Sequence, residues 1–228
     1  MLPLREGGNR FSVVYLVAAL GAMFVALPIA DQFAYGELIE STFFTVTLLA
    51  AVGAVATHRW ALIVSVMLAV PALLVRWLSH LRPDLLPVDV SLLLAGAFIC
   101  FVILHLLRYV VVSPVVDFEV LCAAVSAYLL IAVVWTFVYT LIWQWDPNAF
   151  TFAEANGDAQ GTMAGFNALY FSMQILTTIT FGDILPVSNF ARVMALVEAM
   201  AGMFYLAILI SRLVGLYSSR PPSGRPES

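Results

Sequence analysis

Residues 162–183 read TMAGFNALYFSMQILTTITFGD, and how this stretch sits in a membrane decides the fold of the 228-residue chain. Thr162 to Leu176 is a mostly apolar run. As a helix it would rise about 22 Å, short of the roughly 30 Å hydrocarbon core of a bilayer. It is followed at once by Thr177-Thr178-Ile179-Thr180-Phe181-Gly182-Asp183. A short helix that enters a bilayer and returns exposes backbone at its tip, and lipid offers no partner for those N–H and C=O groups. The segment is therefore expected to line a shared aqueous cavity.

The flanking sequence is that of a polytopic membrane protein. Hydrophobic residues make up 63% of the chain and charged residues 11%, and the mean hydropathy is +1.00, which argues against a soluble globular enzyme. Apolar runs of spanning length fall at about 11–30, 41–57, 60–79, 88–107, 118–143 and 190–217. The second is the weakest, being short and rich in alanine and threonine; His58 and Arg59 follow it directly, so a tight hairpin to the third is expected.

All ten basic residues are arginines. A cytoplasmic amino terminus would put Arg5, Arg10, Arg59, Arg108, Arg212, Arg220 and Arg225 on the inner side and leave Arg76, Arg82 and Arg192 outside. That bias favours both termini inside, in a plasma membrane or bacterial inner membrane. The first span ends in Pro28-Ile29-Ala30 and reads as a retained anchor rather than a cleaved signal. The net charge of −4 is spread over loops, with no basic face for nucleic acid.

Cys100 and Cys122 lie singly in apolar runs and suggest neither a disulfide framework nor a zinc site. His58, His80 and His105 stand alone near span ends and read as interfacial. No carboxylate pair, nucleophile elbow or phosphate loop marks an enzyme, so no catalytic residue and no cofactor is expected. Residues 218–228, rich in Ser, Pro, Gly and Arg, read as a short disordered cytoplasmic tail, with no soluble regulatory domain in the chain.

Over about 118–217 the chain resembles the pore module of tetrameric potassium channels, in which an outer helix, a pore helix, a Thr-Val-Gly-Tyr-Gly-Asp filter and an inner helix follow one another. Thr178-Ile179-Thr180-Phe181-Gly182-Asp183 aligns with that filter, preceded by the customary second threonine, Thr177. The resemblance implies that Gln174 hydrogen-bonds behind the filter to Asp183, that Tyr170 and Phe171 brace it, and that Gly202, twenty residues after Gly182, is a gating hinge. It also implies potassium as the permeant ion, held by the backbone carbonyls of Thr178, Ile179, Thr180 and Phe181 with the Thr178 hydroxyl as an inner ligand. One chain carries one such segment and residues 1–117 hold no second copy, so a homotetramer with cyclic symmetry is expected.

The fold expected is thus an all-α membrane protein with six transmembrane helices and a re-entrant pore helix and selectivity filter between the fifth and sixth. Residues 1–117 would form a four-helix membrane domain and 118–217 the pore domain. The function expected is passive cation conduction.

Thr180 departs from the family, standing where the first filter glycine belongs. In the family the extended filter alternates backbone handedness, and a β-branched residue at positive φ costs about 1–3 kcal/mol. Either the surrounding shell holds Thr180 in that conformation or the backbone relaxes and one carbonyl ring turns away. A nonselective monovalent cation channel on the same scaffold is accordingly one alternative. A nonconducting membrane sensor or adaptor subunit is another. Phe181, in place of tyrosine, fills the same space without a hydroxyl.

Gating residues are sparse. Residues 88–112 offer His105 and Arg108, both near the inner end, where snorkelling is the expected role, so strong voltage gating is not expected. Arg76 and His80 share a helix face at i, i+4, with Asp84 and Asp89 in the next loop, and read as a surface pairing. Asp117 and Glu119 are placed to meet Arg108 or Arg212 of nearby chains at the inner mouth. Glu198 is the carboxylate deep within a span, four residues before Gly202. It is a candidate buried sensor, or an anchor for a pore-helix hydroxyl or amide.

Overall fold

The computed structural model describes residues 12–30, 33, 35–56, 59–81, 88–153 and 161–218. The elements run α1 (Ser12–Ala30), α2 (Gly36–Val55), α3 (Arg59–Leu81), α4 (Val88–Val112), α5 (Phe118–Trp145), β1 (Phe150–Phe152), α6 (Gly165–Leu176), β2 (Ile184–Pro186) and α7 (Asn189–Ser218). Six of the helices, α1 to α5 and α7, are long and apolar enough to cross a membrane. Helix α6, at 12 residues, is not. His58, Arg82, Asp84, Glu154, Asp158 and residues 219–228 lie outside the described residues, as do the side chains of Arg59, His80 and Asp89.

The weakest apolar run forms a complete 20-residue helix, α2. Its threonines fit an apolar setting because their hydroxyls donate to the preceding turn: Thr42 to Leu38 O at 2.7 Å, Thr45 to Ser41 O at 2.7 Å and Thr47 to Phe43 O at 2.9 Å. Buried Phe44, Leu48, Ala51, Ala54 and Val55 turn toward the core shared with α1.

Helix α5 is the axis of the packing and touches α1, α4, α6 and α7. Its buried Ala123, Ala124, Ala127 and Ala132 let neighbouring backbones approach. Asp117 caps its start by accepting from Val120 N at 2.9 Å. The main core runs through α1 to α5 and takes in Leu169 and Leu176 of α6. One continuous apolar core thus crosses the boundary near residue 118.

A second cluster holds the C-terminal part of α5 against the segments around α6. Tyr139, Phe150 and Phe171 meet edge to face, with ring centroids 4.8 Å apart for Tyr139 and Phe171 and 5.5 Å for Phe150 and Phe171. Strands β1 and β2 pair antiparallel, Phe150 opposite Pro186 and Phe152 opposite Ile184. Hence the chain entering α6 and the chain leaving residue 183 are tied together.

Two arginines bridge separate segments of the chain. Arg76 forms an ion pair with Glu40 at 2.9 Å and donates to Ser41 Oγ at 3.2 Å, joining α3 to α2. Arg76 thus has a partner across the helix pair, while His80, Asp84 and Asp89, with which the sequence paired it, lie outside the described side chains. Arg212 donates to Ser113 O at 2.8 Å, fastening the far part of α7 beside the start of α5. Cys100 and Cys122 are free thiols.

Candidate functional site

Helix α6 ends at Leu176, and the seven residues after it take an unusual backbone. Thr178 has φ +60°, Thr180 φ +35° and Gly182 φ +82°. Every second residue is therefore left-handed. In an ordinary strand successive peptide planes alternate sides; inverting the handedness of alternate residues turns the carbonyls toward one side.

Gln174, in the last turn of α6, imposes this geometry. Its main-chain oxygen accepts from Ile179 N at 3.0 Å and its side-chain Oε1 accepts from Phe181 N at 2.8 Å. In a trans peptide the C=O points opposite to the N–H. The carbonyls of Thr178 and Thr180 consequently face away from α6. Among the described residues, no hydrogen bond ends on the carbonyl oxygens of Thr178, Ile179, Thr180 or Phe181.

The same Gln174 donates through Nε2 to Asp183 Oδ1 at 3.1 Å, and Asp183 Oδ1 also accepts from Ile184 N at 3.1 Å. Burial pushes the Asp183 carboxyl up, but hydrogen bonding from Tyr170, Gln174 and the backbone outweighs it and holds the group below the usual carboxylate range. Ala153 N donates to Asp183 O at 2.7 Å, which ties the end of β1 to the end of the segment.

The two aromatic candidates divide their work. The Tyr170 ring lies parallel to Phe181 with centroids 6.3 Å apart. Phe171 is fully buried among Tyr139 and Phe150 and holds α6 against α5 and β1. Thr177 closes α6, its hydroxyl donating to Met173 O at 2.6 Å. Thr178 and Thr180 line an open groove of about 410 Å³ with Ile175, Pro186, Arg192 and Leu196. Ile179 and Phe181 are largely exposed in the single chain.

Helix α7 supports α6 from below. Glu198 is fully buried; Tyr139 Oη donates to its Oε2, and Ser172 Oγ lies 2.5 Å from its Oε1. One turn further along α7, Gly202 faces the end of α6. A Cβ there would overlap the Leu176 carbonyl oxygen and sit 3.0 Å from Leu176 Cδ1. Tyr128 also donates to Leu176 O, at 3.1 Å.

The structure thus brings Gln174, Tyr170 and residues 177–183 together, with Glu198 and Gly202 behind α6 on α7. Ser172 and Tyr139 were not singled out from the sequence. The signal available was Glu198 itself, since a carboxyl at membrane depth requires polar partners on the facing helices.

A short helix followed by backbone carbonyls without hydrogen-bond partners among the described residues thus lies between two long apolar helices. Residues 118–219 match the ion channel family. A stretch of 48 residues is 38% identical to the calcium-gated potassium channel TvoK of Thermoplasma volcanium, covering 21% of this chain and 14% of that relative. Residues 118–219 therefore resemble an ion channel domain, and part of the chain is similar to a potassium channel.

Proposed function

We propose that four copies assemble about an axis lined by residues 178–181 and that the assembly passively conducts monovalent cations, with potassium preferred. In this reading α6 is a re-entrant pore helix and residues 177–183 are the selectivity filter. The observation that carries it is the run of backbone carbonyls without partners. Oxygen atoms in a membrane-embedded segment need donors, water or cations, and the described residues supply no donors. Symmetry copies around a central file of dehydrated cations would satisfy them and let ions displace one another. Such an assembly would also cover the groove beside Thr178 and Thr180, along with part of the apolar face of α7 at Leu196, Met200 and Met203.

The positive φ of Thr180 supports retention of its carbonyl ring and, through strain repeated in every copy, a filter less discriminating than one with glycine there. Voltage dependence is shallow in this reading, because α4 carries His105 and Arg108 toward one end. Both termini lie in the cytoplasm, consistent with the arginine bias. The test is a density map and native mass of the protein in lipid nanodiscs. A tetramer with the 177–183 segments on its axis is expected, and a monomer, or segments facing lipid, would overturn the reading.

A further inference from the structure

Ser172 supplies one hydroxyl proton, yet its Oγ lies 2.9 Å from Ala132 O and 2.5 Å from Glu198 Oε1. Both neighbours are oxygens, and a carbonyl can only accept. If Ser172 donates to Ala132 O, its contact with Glu198 requires a proton on the carboxyl. The second carboxyl oxygen accepts from Tyr139. One added proton therefore satisfies the chain from Tyr139 through Glu198 and Ser172 to Ala132.

The surroundings agree. Hydrogen bonds reach Glu198 from the Tyr139 hydroxyl of α5 and the Ser172 hydroxyl of α6, the Tyr128 phenol of α5 would also feel its charge, and no arginine or histidine among the described residues makes an ion pair with it. A buried carboxylate without a cation is costly, whereas a neutral acid with donor and acceptor filled is not.

We propose that Glu198 is held as a neutral carboxylic acid that donates to Ser172, and that this bridge makes it the positioning residue locking the inner helix to the pore helix and, through Gln174, to the filter. The lock has two points one helical turn apart: the acid on Ser172, and the Gly202 backbone under Leu176. Ser172 stands two residues before Gln174, whose main chain and side chain hold the Ile179 and Phe181 amides. Displacing α7 near Glu198 therefore displaces the scaffold of the filter.

The inference rests on reading 177–183 as the filter, and its test needs no conduction. In reconstituted protein, infrared difference spectra would read the carboxylic acid C=O band, and hydrogen exchange would read the Ile179 and Phe181 amides. Wild type is expected to show the band at neutral pH, and Glu198→Gln to lose it. Because a glutamine amide donates to Ser172 and accepts from Tyr139 as the neutral acid does, Glu198→Gln is expected to keep slow filter exchange. Ser172→Ala and Glu198→Ala are expected to speed it about tenfold, while Ser211→Ala, remote on α7, leaves it unchanged.

Absence of the band in wild type, or exchange in Glu198→Gln as fast as in Glu198→Ala, would overturn the neutral acid. Wild-type exchange in Ser172→Ala would overturn the lock. A tetramer that shows the band and the exchange pattern but passes no cation would overturn the conduction reading and leave the lock standing.

Discussion

Gly202 lies against the carbonyl oxygen of Leu176 so closely that any Cβ would overlap it. The obstacle is backbone at the end of α6, which cannot rotate aside as a side chain can. Gly202→Ala is therefore expected to destabilise the protein by about 1–3 kcal/mol and to shift α6 and the segment it carries. Thermal unfolding in detergent would show it as a lower midpoint. An unchanged midpoint would mean that Gly202 serves flexibility alone.

Thr180 holds φ +35° without the freedom of glycine. Thr180→Gly should relieve the strain, stabilise the assembly and raise the potassium to sodium permeability ratio. Bi-ionic reversal potentials of wild type and variant measure this directly. An unchanged ratio would remove strain at Thr180 as a determinant of selectivity.

Asp183 is held below the usual carboxylate range by its donors despite burial, and the sign follows from that direction. A group with a depressed folded-state value stabilises above its unfolded value of about 4 and loses that contribution only as pH falls through the lower folded value. Conductance is therefore expected to hold from neutral pH down to about pH 5 on the Asp183 side and to fall in stronger acid. Asp183→Asn should reproduce the acid state at neutral pH. A midpoint above the ordinary carboxylate value would contradict the network around Gln174 and Tyr170.

Arg76 and Glu40 form a half-exposed pair between α2 and α3. A double-mutant cycle with Arg76→Ala and Glu40→Ala should give a coupling of about 0.5–1 kcal/mol in thermal unfolding, diminishing with salt. A coupling near zero would mean that the helices hold one another by apolar contact alone.

Spanning segments were legible because each is a run of apolar residues close to the bilayer thickness. Even α2 forms, since its threonines bond to their own helix. The order of long helix, short helix, threonine-rich turn and long helix was legible for the same reason, whereas the place of Gln174 beside Asp183 followed from the resemblance to potassium-channel pores. What local spacing does not encode is pairing over distance. The β1 strand has three residues and exists through contact with β2, more than thirty residues on. Arg76 finds Glu40 across a hairpin, and Ser172 is marked out by Glu198 arriving from another helix. Phe171 packs with the aromatic groups of α5 and β1, contacts that its spacing in the sequence does not reveal.

Uptake of potassium against sodium into liposomes reconstituted with the purified chain, followed under opposed gradients of the two ions, tests the central claim most directly. Passive uptake of potassium exceeding that of sodium is the predicted result, abolished when Gln174→Ala releases the Phe181 amide. Folded, membrane-inserted tetramers that pass neither ion under any gradient would contradict it.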